Sequence, residues 1–270
     1  MSLNATSYDP TLNLLPNFGA VMEVYVINMA QSVQRWSYMQ DYLRQKGIEP
    51  IRIDAIDGRT LSVTERLRHY DESSNERDYF LPLKAAEIGC FLSHKKAMNT
   101  FLEQSDKPYL LLLEDDIELC VDIASVAPSW FEVLSHSTPT MLKLYTKRKV
   151  SGEVVATNSY GQIVRPYIVP LGTPAQVLNR AAVKKMLLLC ERFTMPVDVA
   201  YQYWWQHGVC VLAASPSQVR EVSQNLDGSS IGGSLGLTQW EKIAREIGRS
   251  WFRFKLQVIS YWYCFKTRNV

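Results

Sequence analysis

Apolar and polar positions recur along this chain in two alternating periods, and the switching between them predicts an α/β fold. Residues 23–28, Glu-Val-Tyr-Val-Ile-Asn, alternate and then run β-branched, which predicts a first strand, while residues 31–46 carry apolar positions at helical spacing and stop at Gly47. Residues 51–55 read as a short second strand closed by Asp57-Gly58, a turn dipeptide whose glycine would supply a positive φ. Strand, helix and strand in this order make a βαβ unit. Residues 60–70 predict another helix, and residues 71–78 are polar and charge-dense enough to predict a flexible loop. Residues 87–104 form the longest helical pattern, with Ile88, Phe91, Leu92, Ala97, Phe101 and Leu102 mostly on one side.

The densest apolar run follows. Leu110 to Leu113 are four consecutive leucines, they stop at Glu114-Asp115-Asp116, and Ile117 resumes the apolar pattern. A run without alternation fits a strand buried on both faces of a parallel sheet, and such sheets bind ligands beyond the carboxyl ends of their strands. Acids gathered at a strand tip repel one another, and a divalent cation such as Mg²⁺ or Mn²⁺ relieves that repulsion; a solvated acidic turn is the plainer reading of the same residues.

After Pro128 the segments shorten. Residues 141–145, 152–157 and 162–169 predict strands with an antiparallel element; residues 181–193 and 197–207 predict two helices, and 209–213 a short buried strand. Residues 215–236 are rich in Ser and Gly and predict a long loop. From Trp240 onward Lys242, Arg245, Arg249 and Arg253 recur every three or four residues, with Ile243, Ile247, Trp251 and Phe254 on a separate stripe. The chain therefore divides into a domain over 1–237 and a basic amphipathic helical segment over 238–270. That segment either docks on the domain or attaches peripherally to an anionic membrane surface.

At 270 residues the chain can bury one large core. A net charge of +2 argues against a general nucleic-acid binder, so no nucleic-acid partner is expected. Cys90, Cys120, Cys190, Cys210 and Cys264 follow no metal-binding or disulfide spacing. The first four of them sit among apolar neighbours and read as reduced core thiols, which points to a reducing, cytoplasmic compartment. Residues 1–10 lack the features of a secretory signal, and no apolar stretch approaches the roughly 20 residues of a spanning helix.

Several motifs occur together in one order: Val26-Ile27-Asn28 with Arg35, Ala55-Ile56-Asp57-Gly58, Glu87-Ile88-Gly89-Cys90-Phe91-Leu92-Ser93-His94, Leu113-Glu114-Asp115-Asp116, Gly172-Thr173, Pro196-Val197-Asp198 and Ser229-Ser230-Ile231. In this the chain resembles glycosyltransferase family 25, the lipooligosaccharide galactosyltransferase-like enzymes, over roughly residues 22–232. Two departures are visible: Ala86 stands where the family usually has Gly, and Pro174-Ala175-Gln176 replaces a continuation that usually contains an aromatic residue.

The resemblance implies a GT-A-like, Rossmann-type sheet that binds a nucleotide sugar. The expected donor is a UDP-hexose, most simply UDP-galactose, and the expected acceptor a hydroxyl of a lipid-linked lipooligosaccharide glycan at the inner face of a bacterial inner membrane. Transfer would be inverting and assisted by Mn²⁺ or Mg²⁺. The resemblance assigns Asp116 and Asp115 to the metal. Asn28, Arg35, Asp57, Glu114, Asp115 and Lys143 fall to the donor. Asp198 is the expected base, with Glu87 as its substitute and His94 alongside.

Plainer roles exist for several of these residues. Asn28 would cap a helix, Arg35 and Lys143 would be solvated, Asp57 would form a turn, His94 would be structural, and Asp198 would be a favourable acid at a helix start. A non-catalytic protein of the same fold that binds a nucleotide sugar or serves as a scaffold is the alternative function.

Overall fold

The computed structural model describes residues 14–134, 137–222 and 239–268. The elements run α1 (Leu14–Val21), β1 (Met22–Asn28), α2 (Val33–Gln45), β2 (Ile51–Asp54), α3 (Val63–His69), α4 (Glu72–Asp78), α5 (Ala85–Gln104), β3 (Tyr109–Glu114) and β4 (Ile117–Leu119). They continue as α6 (Ile123–Val133), β5 (Thr140–Lys143), β6 (Gly152–Asn158), β7 (Gly161–Pro166), β8 (Ala175–Asn179), α7 (Arg180–Leu189), α8 (Val197–Ala200), α9 (Trp204–His207), β9 (Cys210–Ser215), β10 (Val219–Glu221) and α10 (Gln239–Arg268).

Eight strands form one sheet in the order β2-β1-β3-β8-β5-β9-β7-β6, and β10 pairs with β4 in a small antiparallel ribbon. The leucine run is legible in the packing. Leu111 and Leu113 face one core with Val24, Val26, Met39 and Trp130, while Leu110 and Leu112 face the other with Tyr25, Ile27, Phe91 and Phe101. Side chains alternate across a strand, so a strand covered on both faces must be apolar at every position. The sheet is mixed rather than parallel: β3 runs parallel to β1 but antiparallel to β8.

Four further expectations are corrected. Residues 71–78 form α4 instead of a loop, because Asp71 caps it through Ser74 N–H and buried Asn75 ties it to the carbonyls of Leu81 and Thr194. Residues 197–207 form two short helices, interrupted at Tyr201 to Tyr203. Gly58 does not adopt a positive φ. Its need is spatial: an added Cβ would stand 1.8 Å from the Ala85 carbonyl oxygen, and one on the facing Gly89 would stand 2.4 Å from that of Ile56. Finally, Cys120 is exposed and Cys90 and Cys210 are half-buried, leaving Cys190 as a fully buried thiol.

The Ser229-Ser230-Ile231 motif and most of the predicted 215–236 loop lie outside the described residues, as do the side chains of Lys242, Ile243 and Arg245. Within that loop's start, Val219–Glu221 pairs with β4.

Candidate active site

The βαβ register fixes the site. Asn28 ends β1 and pairs with Asp54 on β2, while Ile27 pairs with Glu114 at the end of β3, so the carboxyl ends of these strands lie side by side. A cavity of about 150 Å³ opens there, lined among others by Arg35, Asp57, Arg59, His94, Glu114, Asp115 and Asp116. Asn28, itself buried, donates from Nδ2 to Asp115 Oδ2 at 2.5 Å and to the Ser32 carbonyl at 3.2 Å; Ser32, not Asn28, precedes α2 as its N-cap. Arg35 reaches from the first turn of α2 to Asp115 Oδ1 at 2.6 Å and Asp116 Oδ2 at 3.3 Å. It is thus an acid-bound cation and not a solvated helix residue.

Burial raises the Asp115 carboxyl, while Arg35 and Asn28 oppose that rise. Asp116 is pushed up to about 6, first by burial and then by Glu114. Its Oδ1 is buried with no hydrogen-bond partner among the described residues, and the same is true of Asn28 Oδ1. Unpartnered buried oxygens on Asp116 and Asn28, with a second carboxylate on Asp115, are hard oxygen donors of the kind Mg²⁺ or Mn²⁺ takes.

Glu114 lies deeper. Burial pushes its carboxyl up, but His94, Thr173 and Lys143 outweigh that and hold it below its ordinary value. Thr173 Oγ1 donates to Glu114 Oε1 at 2.8 Å, and His94 Nε2 stands 3.4 Å from the same oxygen. The Gln176 amide nitrogen stands 3.3 Å from His94 Nδ1. With that nitrogen donating, Nδ1 is the acceptor and the imidazole proton sits on Nε2, aimed at Glu114.

Lys143 is turned inward rather than solvated. Its Nζ donates to the Gly172 carbonyl at 2.5 Å, and burial lowers its ammonium to about 8 against the opposing pull of Asp198 and Glu114. Asp198, in the first turn of α8, accepts the Gly172 N–H on Oδ2 at 3.0 Å. Neither Lys143 nor Asp198 lines the 150 Å³ cavity; both bond the backbone of Gly172.

Glu87 is held in a capping arrangement, accepting the Lys84 N–H at 2.7 Å. Ser93 is structural: its hydroxyl accepts the Ile56 N–H at 2.8 Å and donates to the Gly89 carbonyl at 2.7 Å, pinning the 55–58 turn to α5. Asp57 pairs with Arg59 at 2.7 Å, which lowers the Asp57 carboxyl.

Sequence reasoning passed over Arg59, Cys90, Thr173 and Gln176 as site residues. Arg59 directly follows the Asp57-Gly58 turn and Thr173 belongs to a quoted motif, so both had a signal. Gln176 had only its position in a run that departs from the family pattern.

An acid-tipped central strand, an arginine clamped on its two aspartates and an open cleft at the strand ends stand where α/β folds bind their ligands. The chain belongs to glycosyltransferase family 25 (LPS biosynthesis protein), whose model matches residues 21–201. Procollagen galactosyltransferase 2 of mouse and of human are each 31% identical to it over 106 residues, covering 35% of this chain but only 16% of theirs.

Two solved structures share a loose likeness. A glycosyltransferase involved in glycosylation of the major capsid of PBCV-1 is 8% identical with a TM-score of 0.40, covering 73% of this chain and 82% of its own. A mutant Drosophila β-1,4-galactosyltransferase 7 in complex with manganese, UDP-Gal and xylobiose is 10% identical with a TM-score of 0.36, covering 83% and 79%.

Proposed function

We propose that this protein is a glycosyltransferase that moves a hexose, most simply galactose, from a UDP-sugar to a hydroxyl of a lipooligosaccharide-type glycan, with inversion at the anomeric carbon. The observation that carries this reading is the Asn28–Arg35–Asp115–Asp116 cluster at the carboxyl edge of β1 and β3, with an unpartnered Asp116 oxygen. Family membership supports the lipopolysaccharide setting, and the partial match to procollagen galactosyltransferases supports galactose.

Asp116 and Asp115 would hold Mn²⁺ or Mg²⁺, which when bound would stabilise the charge developing on the leaving diphosphate. Among the described residues Arg35 is the cation paired with this cluster, and it would turn toward the diphosphate as the aspartates take the metal. Asp57 and Arg59 line the outer cleft, where ribose or base would lie. The cavity is smaller than the roughly 300–1,000 Å³ of pockets that enclose a drug-sized ligand, so a nucleotide sugar would lie partly beyond it.

Asp198 would accept the acceptor's hydroxyl proton, oriented by the Gly172 N–H and with Lys143 balancing its charge. Glu87 is already engaged with Lys84 N–H and is the weaker candidate. His94 would hold Glu114 in place through its Nε2 proton. The 238–270 segment would attach the enzyme to the membrane surface that carries a lipid-linked acceptor.

Calorimetric titration of UDP-galactose, UDP-glucose and UDP, each with and without Mn²⁺, on wild type and Asp116→Asn tests the donor site. Metal-dependent binding of one UDP-sugar, lost in Asp116→Asn, is expected; folded protein that binds no UDP compound overturns the reading. For the base, Asp198→Asn should cut transfer by about 10²–10⁴-fold while donor binding persists. Near-normal transfer in Asp198→Asn would remove it from that role.

A further inference from the structure

In the wall of the cleft, a second donor set of different chemistry is assembled from α5 and β3. Cys90 and His94 are four residues apart on α5 and so share a face, and that face meets the carboxyl end of β3. Cys90 Sγ, a ring nitrogen of His94 and a carboxylate oxygen of Glu114 lie within 4.8 Å of one another. We propose that Cys90, His94 and Glu114 bind a soft divalent cation of the zinc class, separately from the oxygen-only Asp115 and Asp116 pair.

Thiolate, imidazole and carboxylate together are the ligand types zinc takes, and three protein ligands leave a fourth position for water. Zinc bonds of about 2.3 Å to sulfur and about 2.0 Å to nitrogen and oxygen would draw these donors to about 3.5 Å apart. Side-chain torsions close that gap. Both Cys90 and Glu114 line the cleft, which gives the ion an entry path.

The surrounding shell supplies an independent observation. Gln176 is fully buried against His94, and its Oε1 has no hydrogen-bond partner among the described residues. Turning the Gln176 amide over would let Oε1 accept an Nδ1 proton, leaving Nε2 free as a ligand, and a buried carbonyl on the far ring nitrogen is the usual companion of a metal-bound histidine. On binding, the Cys90 thiol loses its proton to solvent as the metal–sulfur bond forms, and the imidazole proton moves from Nε2 to Nδ1. The ion's two positive charges are then matched by one thiolate and one carboxylate. Occupancy would take Glu114 away from its Thr173 and His94 partners, so zinc would inhibit transfer; that consequence alone rests on the transferase reading.

The test is titration of metal-stripped full-length protein with Co²⁺, read by thiolate-to-cobalt charge-transfer absorption near the ultraviolet and by tetrahedral d–d bands. One equivalent is expected to bind, to be displaced by Zn²⁺, and to be unaffected by Mn²⁺. Cys90→Ser should abolish the charge-transfer band, and Cys120→Ser, at the exposed thiol, should keep it. Gln176→Leu should weaken Co²⁺ binding by about 10-fold or more, the usual cost of losing such a companion. Absence of a thiolate band in wild type, or its survival in Cys90→Ser, overturns the site. If Cys90→Ser fails to fold, as circular dichroism will show, Glu114→Gln serves instead, with retained sulfur charge transfer but at least about 10-fold weaker binding expected; unchanged affinity there also overturns it. None of these readouts depends on transfer activity.

Discussion

His207 shows how one side chain makes the fold sensitive to acid. It is buried at the end of α9, with Nε2 directed at the Tyr201 carbonyl and Nδ1 accepting the Val209 N–H, so both ring nitrogens are spent on the neutral form. Burial lowers its pKa to about 4 from the ordinary 6.5. The unfolded chain therefore binds the proton first, and stability present above about pH 6.5 is lost as pH falls toward 4, by roughly 3 kcal/mol over that window. Urea midpoints at pH 7.5 and 4.5 should differ less in His207→Gln than in wild type; equal differences would remove His207 from the acid response.

Lys143 is the opposite case, a buried cation whose neighbours Glu114 and Asp198 are both acids. Lys143→Met strands those charges and should cost about 3–5 kcal/mol at neutral pH, the usual penalty for removing one member of a buried charge cluster. A urea midpoint within error of wild type would refute it.

At the scale of elements, the contact between the 55–58 turn and α5 is made backbone to backbone. Gly58 and Gly89 face each other there, and Ser93 hydrogen-bonds Ile56 in the turn and Gly89 in the helix. Gly58→Ala should displace the turn, weaken donor binding through Asp57 and Arg59, and lower stability by about 1–3 kcal/mol through overpacking. A crystal structure of Gly58→Ala with an unmoved turn would defeat this.

Which elements were legible follows the same physics. The strand carrying Leu110 to Glu114 and the helix before it announce themselves because burial on two faces, or along one stripe, writes a period into the sequence. The βαβ start was legible for that reason too. α4 was not, because its stability comes from Asp71 capping and from Asn75 bonds to the distant carbonyl of Thr194, and neither leaves a period. β8 was missed because Pro174 and Gln176 look unlike strand residues, although Gln176 is fully buried in the sheet centre beside His94. The acids of the site were visible as types. Their partners, Arg35 on Asp115 and Gln176 on His94, are long-range contacts that spacing does not reveal.

At the scale of the whole molecule, the long terminal helix α10 is held on one side and open on the other. Leu256 and Ser260 are buried, Ser260 bonds the Tyr167 carbonyl, Phe252 packs on Tyr79 and Phe80, and Tyr263 stacks on Trp205. The other side exposes Ile247, Trp251, Phe254, Val258, Trp262 and Phe265 at intervals of three and four residues, with Trp251 66% and Phe265 71% exposed. Arg253, Lys255 and Lys266 are exposed beside this stripe. Among the described residues no helix is long and apolar enough to cross a membrane.

An apolar stripe flanked by cations suits the interface of an anionic bilayer, where each nearby cation contributes about 1 kcal/mol and each buried large side chain about 1.5–3 kcal/mol. Trp251→Glu with Phe254→Glu should therefore reduce sedimentation with anionic vesicles by at least about tenfold, and added salt should weaken the wild type. Because both residues lie off the docked side, the thermal midpoint of this double variant should stay at the wild-type value. Removal of residues 238–270 should instead lower that midpoint, since it uncovers Tyr79, Phe80, Trp204 and Trp205. Vesicle binding unchanged in Trp251→Glu with Phe254→Glu would leave α10 as a structural strap and refute its membrane role.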